Sequence, residues 1–162
     1  GDVKLLVSGT KHPHPNKNGI FYTKHSDLYK VEKPWGYELW LNGEHPCYAF
    51  KEIFIKTPTR TSLQYHNFKQ ETNVLFDGEC NLFYQLDFSI DKNSVKEENL
   101  GKLRLNEVSS IDVPPGTLHR LEAISNILLF ETSTPHLDDV IRVLDDAKRI
   151  DGRVQQEHAA NK

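Results

Sequence analysis

Between Trp35 and Thr132 the apolar residues come in short runs, and none is long enough to build a helical core. The runs are Trp35 to Leu41, Tyr48 to Lys56, Asn73 to Phe76, Asn81 to Asp87, Val108 to Val113, Leu118 to Ala123 and Ile127 to Thr132. Each is rich in aromatic and β-branched residues and ends at a turn signal, the pattern of strands. Lys51-Glu52-Ile53-Phe54-Ile55-Lys56 and Phe83-Tyr84-Gln85-Leu86 alternate in part, as half-buried strands do. Asp77-Gly78 has the composition of a tight hairpin turn, which needs positive φ. Asp91 to Gly101 reads as a polar loop on a hairpin. Many short antiparallel strands in 162 residues predict one all-β domain, a sandwich or barrel of the jelly-roll kind.

The flanks read differently. Residues 1–33 are expected to form an irregular arm and residues 34–134 the barrel. Val3 to Val7 can make a short strand. Lys11-His12-Pro13-His14-Pro15-Asn16-Lys17-Asn18-Gly19 cannot be regular, because proline fixes φ and removes a donor. His12 and His14 therefore read as solvated loop residues, since a metal site needs rigid support. Residues 135–162 are expected to hold a short helix, Asp138 to Ile150, whose N-terminus Asp138 and Asp139 favour. A polar, frayed tail follows from Arg153.

The net charge is −3 and no long Lys/Arg run occurs, so nucleic-acid binding has no electrostatic support. No apolar stretch approaches the ~20 residues of a membrane span. Gly1 to Val7 lack the basic region and long apolar stretch of a secretory signal. Cys47 and Cys80 form neither a disulfide framework nor a Cys-x-x-Cys hook. Two free thiols fit a reducing cytoplasm, the location expected here.

Two segments carry the chemistry. The first runs Gln64-Tyr65-His66-Asn67-Phe68-Lys69-Gln70-Glu71 and closes at Gly78; the second is Pro114-Pro115-Gly116-Thr117-Leu118-His119. On a strand, residues two apart share a face, so Gln64 and His66 point the same way. Glu71 begins the next run, and the Pro114–Gly116 turn delivers His119 at a strand start. Gln64, His66, Glu71 and His119 offer nitrogen and oxygen donors to one divalent metal: Zn first, with Fe, Mn, Ni or Co also suited.

This pattern resembles the cupin superfamily over roughly residues 34–134. The first cupin motif runs His-x-His, then Glu, then Gly; Gln64 replaces the first His, while His66, Glu71 and Gly78 keep the spacing. The second, Pro-x-Gly-x-x-His, is met by Pro114, Gly116 and His119. Pro58 and Val108 stand where the family has leading glycines, and Ala123 where it has a trailing Asn. The resemblance implies a double-stranded β-helix, or jelly-roll, barrel. Ser62-Leu63-Gln64-Tyr65-His66, with Lys69 and Glu71, is similar to the metal motif of the type II mannose-6-phosphate isomerase cupins. Lys33-Pro34-Trp35-Gly36, Asp138-Asp139-Val140-Ile141-Arg142 and Gly152-Arg153 match further features of that group in order. Asn67 and Phe68 stand where the group favours His, Lys69 where it favours Arg, and Thr72 where it favours His.

The resemblance implies a metal-dependent aldose–ketose isomerase of a phosphorylated sugar or related carbohydrate, acting in surface-polysaccharide precursor synthesis. A metal would stabilise the enediolate as a Lewis acid. Arg142 is the candidate phosphate holder, although an ion pair with Asp138 or Asp139 is equally open. Lys51 and Tyr84 are candidates for proton work, and the sequence does not choose between them. Arg120 should alternate outward, whereas Arg104 and Lys56 can face the barrel mouth. Trp35 reads as core or as a sugar-stacking platform. Two other classes stay open: a non-catalytic carbohydrate-binding cupin, and an Fe(II)-dependent cupin oxygenase. No Gly-rich phosphate cradle is present, which excludes a nucleotidyltransferase. Exposed sheet edges lead us to expect a homodimer.

Overall fold

Alternation puts every second residue of each run on one face, and here two such faces close on one another. The computed structural model describes residues 3–5 and 19–161. Its strands are β1 (Val3–Leu5), β2 (Ile20–Tyr22), β3 (Tyr29–Lys33), β4 (Gly36–Asn42), β5 (Ala49–Ile55), β6 (Leu63–Tyr65), β7 (Glu71–Asp77), β8 (Cys80–Tyr84), β9 (Gly101–Leu105), β10 (Ser109–Val113), β11 (His119–Ala123), β12 (Ile127–Ser133) and β13 (Ile141–Leu144). A six-stranded sheet has the order β10-β7-β12-β5-β4-β3, and a five-stranded sheet the order β13-β6-β11-β8-β9. Every pairing in both is antiparallel. β1 and β2 form a separate parallel pair. Among the described residues no helix is long and apolar enough to cross a membrane.

Inward positions change character along the strands of the larger sheet. Ile55 lies beside Ile127, and Ile53 beside Leu129, which in turn faces Leu75. Two steps further, Glu131 lies between Lys51 and Asn73, and then Ser133 between Ala49 and Glu71. The apolar rows join Trp35, Cys80 and Ala123 in one buried cluster, with Leu105 and Leu121 packed against it. Burying a large aliphatic side chain contributes about 1.5–3 kcal/mol, so this end holds the sheets together. The other end is left polar.

Several expectations change. Asp138 to Ile150 is not a helix; Ile141–Leu144 is a strand pairing with β6, Ile141 opposite Tyr65 and Arg142 opposite Gln64. Val140, Ile141 and Val143 are β-branched, and the open edge of β6 offers backbone partners that a solvent-facing helix would not. The helical turn comes later, as a 3-10 segment over Gln155–Asn161. That tail is docked: Tyr29 Oη lies 2.8 Å from His158 Nδ1, and Lys33 and Arg149 both pair with Glu157. Strand β3 lies within the expected arm and pairs with β4. Asp77-Gly78 makes no hairpin, because β7 and β8 belong to different sheets. Gly78 still has φ of 91°, and a Cβ there would meet Asn126 O at 2.2 Å. The turn is a corner between layers. Asp91 to Gly101 does bridge the antiparallel pair β8–β9. His12 and His14 lie outside the described residues.

Arg120 does alternate away from the cavity, yet only 1% of it is exposed. Its guanidinium donates to Thr61 O (2.8 Å), Leu144 O (3.1 Å) and the Glu97 carboxylate. It thereby ties β11, which begins at His119, to β13 and to the loop between β8 and β9. Removing this donor leaves the Thr61 and Leu144 carbonyls unpaired, at a cost of about 1–3 kcal/mol. Arg120→Ala should therefore lower unfolding free energy by roughly that amount in urea titration; a loss under about 1 kcal/mol would show that the clamp is not structural.

Candidate metal centre

His66 leaves the end of β6, Glu71 opens β7, and His119 opens β11. Side-chain donor atoms of the three all lie within 4.8 Å of one another, and all three residues are buried. Glu71 Oε2 is 3.5 Å from His66 Nε2, and Glu71 Oε1 is 3.3 Å from His119 Nε2.

Both imidazoles are oriented from behind. His66 Nδ1 is 2.6 Å from Asp139 O, and His119 Nδ1 is 2.9 Å from Thr117 O. A carbonyl only accepts, so both Nδ1 atoms carry a proton, and Nε2 is the atom each neutral ring would present to a metal. His66 Nε2 and Glu71 Oε2 are buried without a hydrogen-bond partner. Lys69 Nζ lies 2.7 Å from that Oε2 as an ion pair. A buried acceptor without a donor is costly, and His66 Nε2, 3.5 Å from the same carboxylate oxygen, fits a bound cation. The expected residues therefore suit a divalent metal.

Two loops lock this geometry. Gly116, at φ 82°, donates its N–H to His66 O at 2.7 Å, joining the two sequence segments directly. Asp139 accepts N–H bonds from Asn67, Phe68 and Lys69 at 2.9, 2.6 and 2.8 Å. Burial would raise the Asp139 carboxyl, but these three N–H donors hold it below its ordinary range. Sequence reasoning took Asp139 for a helix start; its place in an acidic pair before β13 was the available signal.

Charge controls the site. Burial pushes Glu71 toward the neutral acid, but Lys69 first, then both imidazoles, hold it well below the usual carboxylate range. Burial lowers His119, and Glu71 more than reverses that, so its imidazole is raised. Lys69 is buried and also pairs with Glu131 at 2.9 Å; burial opposes its charge, while Glu131 and Glu71 raise it far above the ordinary lysine value. Neither Lys69 nor Glu131 was expected among the site residues. Lys69 shows in the sequence only as a motif position, and Glu131 only as one charge in an otherwise apolar strand.

Glu71 and His119 open into a cavity between the sheets with about 1010 Å³ of empty space, partly continuous with solvent. Glu71, His119, Gln64, Lys51, Glu131 and Arg142 all line it. Gln64 pairs in register with His119 on one side and Arg142 on the other, and its Oε1 accepts from Ser62 Oγ at 2.6 Å. Lys51 Nζ is tied to Glu38 Oε1 at 3.1 Å and lies 5.1 Å from the Trp40 ring. Burial opposes ionisation of Glu38, but Lys51, Lys33 and Trp40 hold it far below the usual range. Tyr84 is opposite His119 in register but does not line the cavity; its ring covers Gly101. Arg104 pairs with Glu79 at the surface and Lys56 is exposed, so neither faces the mouth. Trp35 is core that also forms cavity wall.

No protein-family model matches the sequence, and no curated protein matches it. Among solved structures it is similar to CapF, a capsular polysaccharide assembling protein from Staphylococcus aureus, at 12% identity and TM-score 0.59, over 76% of this chain and 37% of that one. Oxalate decarboxylase from Bacillus subtilis matches at 13% identity and TM-score 0.57, over 74% and 31%. KdgF from Halomonas sp. matches at 14% identity and TM-score 0.52, over 66% and 86%. The chain spans about a third of the length of CapF and of the decarboxylase. These neighbours are cupins, and this chain has the cupin fold.

Partners behind a metal ligand typically carry a 10–100-fold effect on affinity. Asp139→Ala, which frees the 67–69 loop while keeping every ligand, should weaken zinc binding by about that factor in competition with a chromogenic chelator. An unchanged affinity would remove Asp139 from the site.

Proposed function

We propose that this chain is a metal-dependent cupin isomerase interconverting the aldose and ketose forms of a small phosphorylated sugar. Gln64, His66, Glu71 and His119 would hold the ion, zinc being the first choice for this donor set. When bound, the ion supplies Lewis-acid stabilisation of negative charge on substrate oxygen.

The observation that carries the reading is Arg142. Among the described residues, each other Lys or Arg lining the cavity has a carboxylate partner: Lys33, Lys51, Lys69, Arg149 and Arg153 pair with Glu157, Glu38, Glu71 and Glu131, Asp145 and Glu157, and Asp138 respectively. The Arg142 guanidinium meets only the carbonyls of Ile150 and Gly152, and its Nε is buried without a partner. Burial, then the neighbouring Arg149, lower its pKa, and the carboxylates of Glu157, Asp145 and Asp151 only partly offset them. An anionic group is the natural complement, and a guanidinium forks onto phosphate or carboxylate. Arg142 is two strands from His119, with Gln64 between them. At roughly 4.8 Å per strand the two stand about 10 Å apart, a span suited to a sugar with its carbonyl end at the metal and its phosphate at the arginine.

CapF is a capsular polysaccharide assembling protein, and a role in surface-polysaccharide precursor supply is part of this proposal, as is a cytoplasmic location. So is a homodimer. Phe50 and Phe76 are exposed beside Phe130, at ring separations of 6.3 and 5.8 Å, an apolar patch that a second copy would cover.

The test is solvent-deuterium incorporation into aldose and ketose phosphates by the zinc-loaded chain. Exchange should vanish on chelation and return with metal. Arg142→Ala should raise KM for the phosphorylated sugar at least tenfold, while leaving bound metal intact. Sugar binding without exchange would favour a binding module, and oxygen consumption with Fe(II) an oxygenase; either result ends the isomerase reading. Light scattering of the same sample should give twice the chain mass, and a monomer would remove the dimer from the proposal.

A further inference from the structure

An aldose–ketose exchange needs a group that carries a proton between neighbouring carbons. Glu71 is occupied as a ligand. Lys51 is held in its pair with Glu38, and Tyr84 lies off the cavity wall. Of the remaining carboxylates lining the cavity, Glu38 stands on β4, three strands from Glu71, and Asp138 is exposed and paired with Arg153. His158 stands with Tyr29 and Trp40 in the tail. That leaves Glu131.

Glu131 sits two positions along β12 from Ser133, which is opposite Glu71, so the two carboxylates point inward from adjacent strands one step apart. One nitrogen touches both: Lys69 Nζ is 2.7 Å from Glu71 and 2.9 Å from Glu131. Glu131 is 8% exposed, lines the cavity and coordinates nothing itself. Lys69 holds it one inward step along the sheet from Glu71. Resting on the isomerase reading, we infer that Glu131 is the general base of the reaction and that Lys69 is its positioning residue.

The step balances without a further reactant. The Glu131 carboxylate takes the proton from the carbon next to the carbonyl. The C–H electron pair becomes the C=C bond of the enediolate, and the carbonyl oxygen takes the negative charge. The neighbouring hydroxyl passes its proton to that oxygen and its own C–O bond becomes the new carbonyl, while the C=C electron pair takes the proton of the Glu131 acid onto the former carbonyl carbon. One carbon is oxidised and its neighbour reduced, with no net change.

Two readouts test this, both on the zinc-loaded full chain. General bases contribute typically 10²–10⁴-fold, so Glu131→Gln should lower deuterium exchange by about that factor while bound zinc per chain stays at the wild-type value. Glu131→Asp, which keeps the charge for Lys69, should restore part of the exchange. The second readout needs no turnover. A hydroxamate analogue of the enediolate loses a proton on binding; the wild type should keep it on Glu131, and E131Q should release about one more proton per chain, counted by titration calorimetry in buffers of different ionisation enthalpy. Equal proton counts, or exchange within threefold of wild type in E131Q, would overturn the assignment. If E131Q loses its zinc, E131D carries the test, and wild-type exchange in E131D overturns it. A wild type that neither exchanges nor binds the hydroxamate fails at the isomerase reading instead, and the inference falls with it.

Discussion

The site depends on one buried lysine. Lys69 lies between Glu71 and Glu131, and all three are largely removed from water. Unpaired, either carboxylate would carry a desolvation penalty of several kcal/mol. Lys69 is one ammonium for two carboxylates. Beside them His66 Nε2 is buried without a hydrogen-bond partner. A cation completes this arrangement electrostatically; a further hydrophobic residue could not.

Such a cluster survives only because the rest of the interior is asymmetric. β5 and β12 present isoleucine and leucine at one end and lysine, glutamate and serine at the other. The apolar rows supply the packing that holds the two sheets face to face, and the polar rows exploit the gap that results. The same two-residue period that builds the core thus sets the functional groups in register. Glu131 and Glu71 come from the six-stranded sheet, while Gln64, His119 and Arg142 come from the five-stranded one.

Much of this is legible in the sequence, for a local reason. The seven apolar runs each became a strand, and the spacing of His66, Glu71 and His119 survived folding because turns with limited geometries separate them. What was not legible depends on which strands become neighbours. Residues 138–150 carry both acids suited to a helix start and β-branched residues suited to a strand, and the free edge of β6 decided between them. Asp77-Gly78 has the turn chemistry of a hairpin, but the chain uses its positive φ to change sheets. Arg120 was placed correctly by parity, yet its burial under Glu97 and Leu144 needed two distant segments. Glu131 becomes a site residue only through Lys69, sixty-two positions away.

The division between sheets also explains why the metal ligands alone say little about chemistry. A fold that can host isomerases, decarboxylases and binding modules leaves the reaction to residues outside the ligand set. Here those residues are opposed: Arg142 offers a guanidinium hydrogen-bonded only to carbonyls on one sheet, and Glu131 offers a carboxylate beside the candidate ligands on the other. Their mutual placement requires β13 to pair with β6 and the 67–69 loop to be tethered by Asp139. The segment after the barrel is therefore no appendage. By its register with Gln64 it carries Arg142 into the cavity, and by the Asp139 carbonyl it aims His66, so it builds both ends of the site.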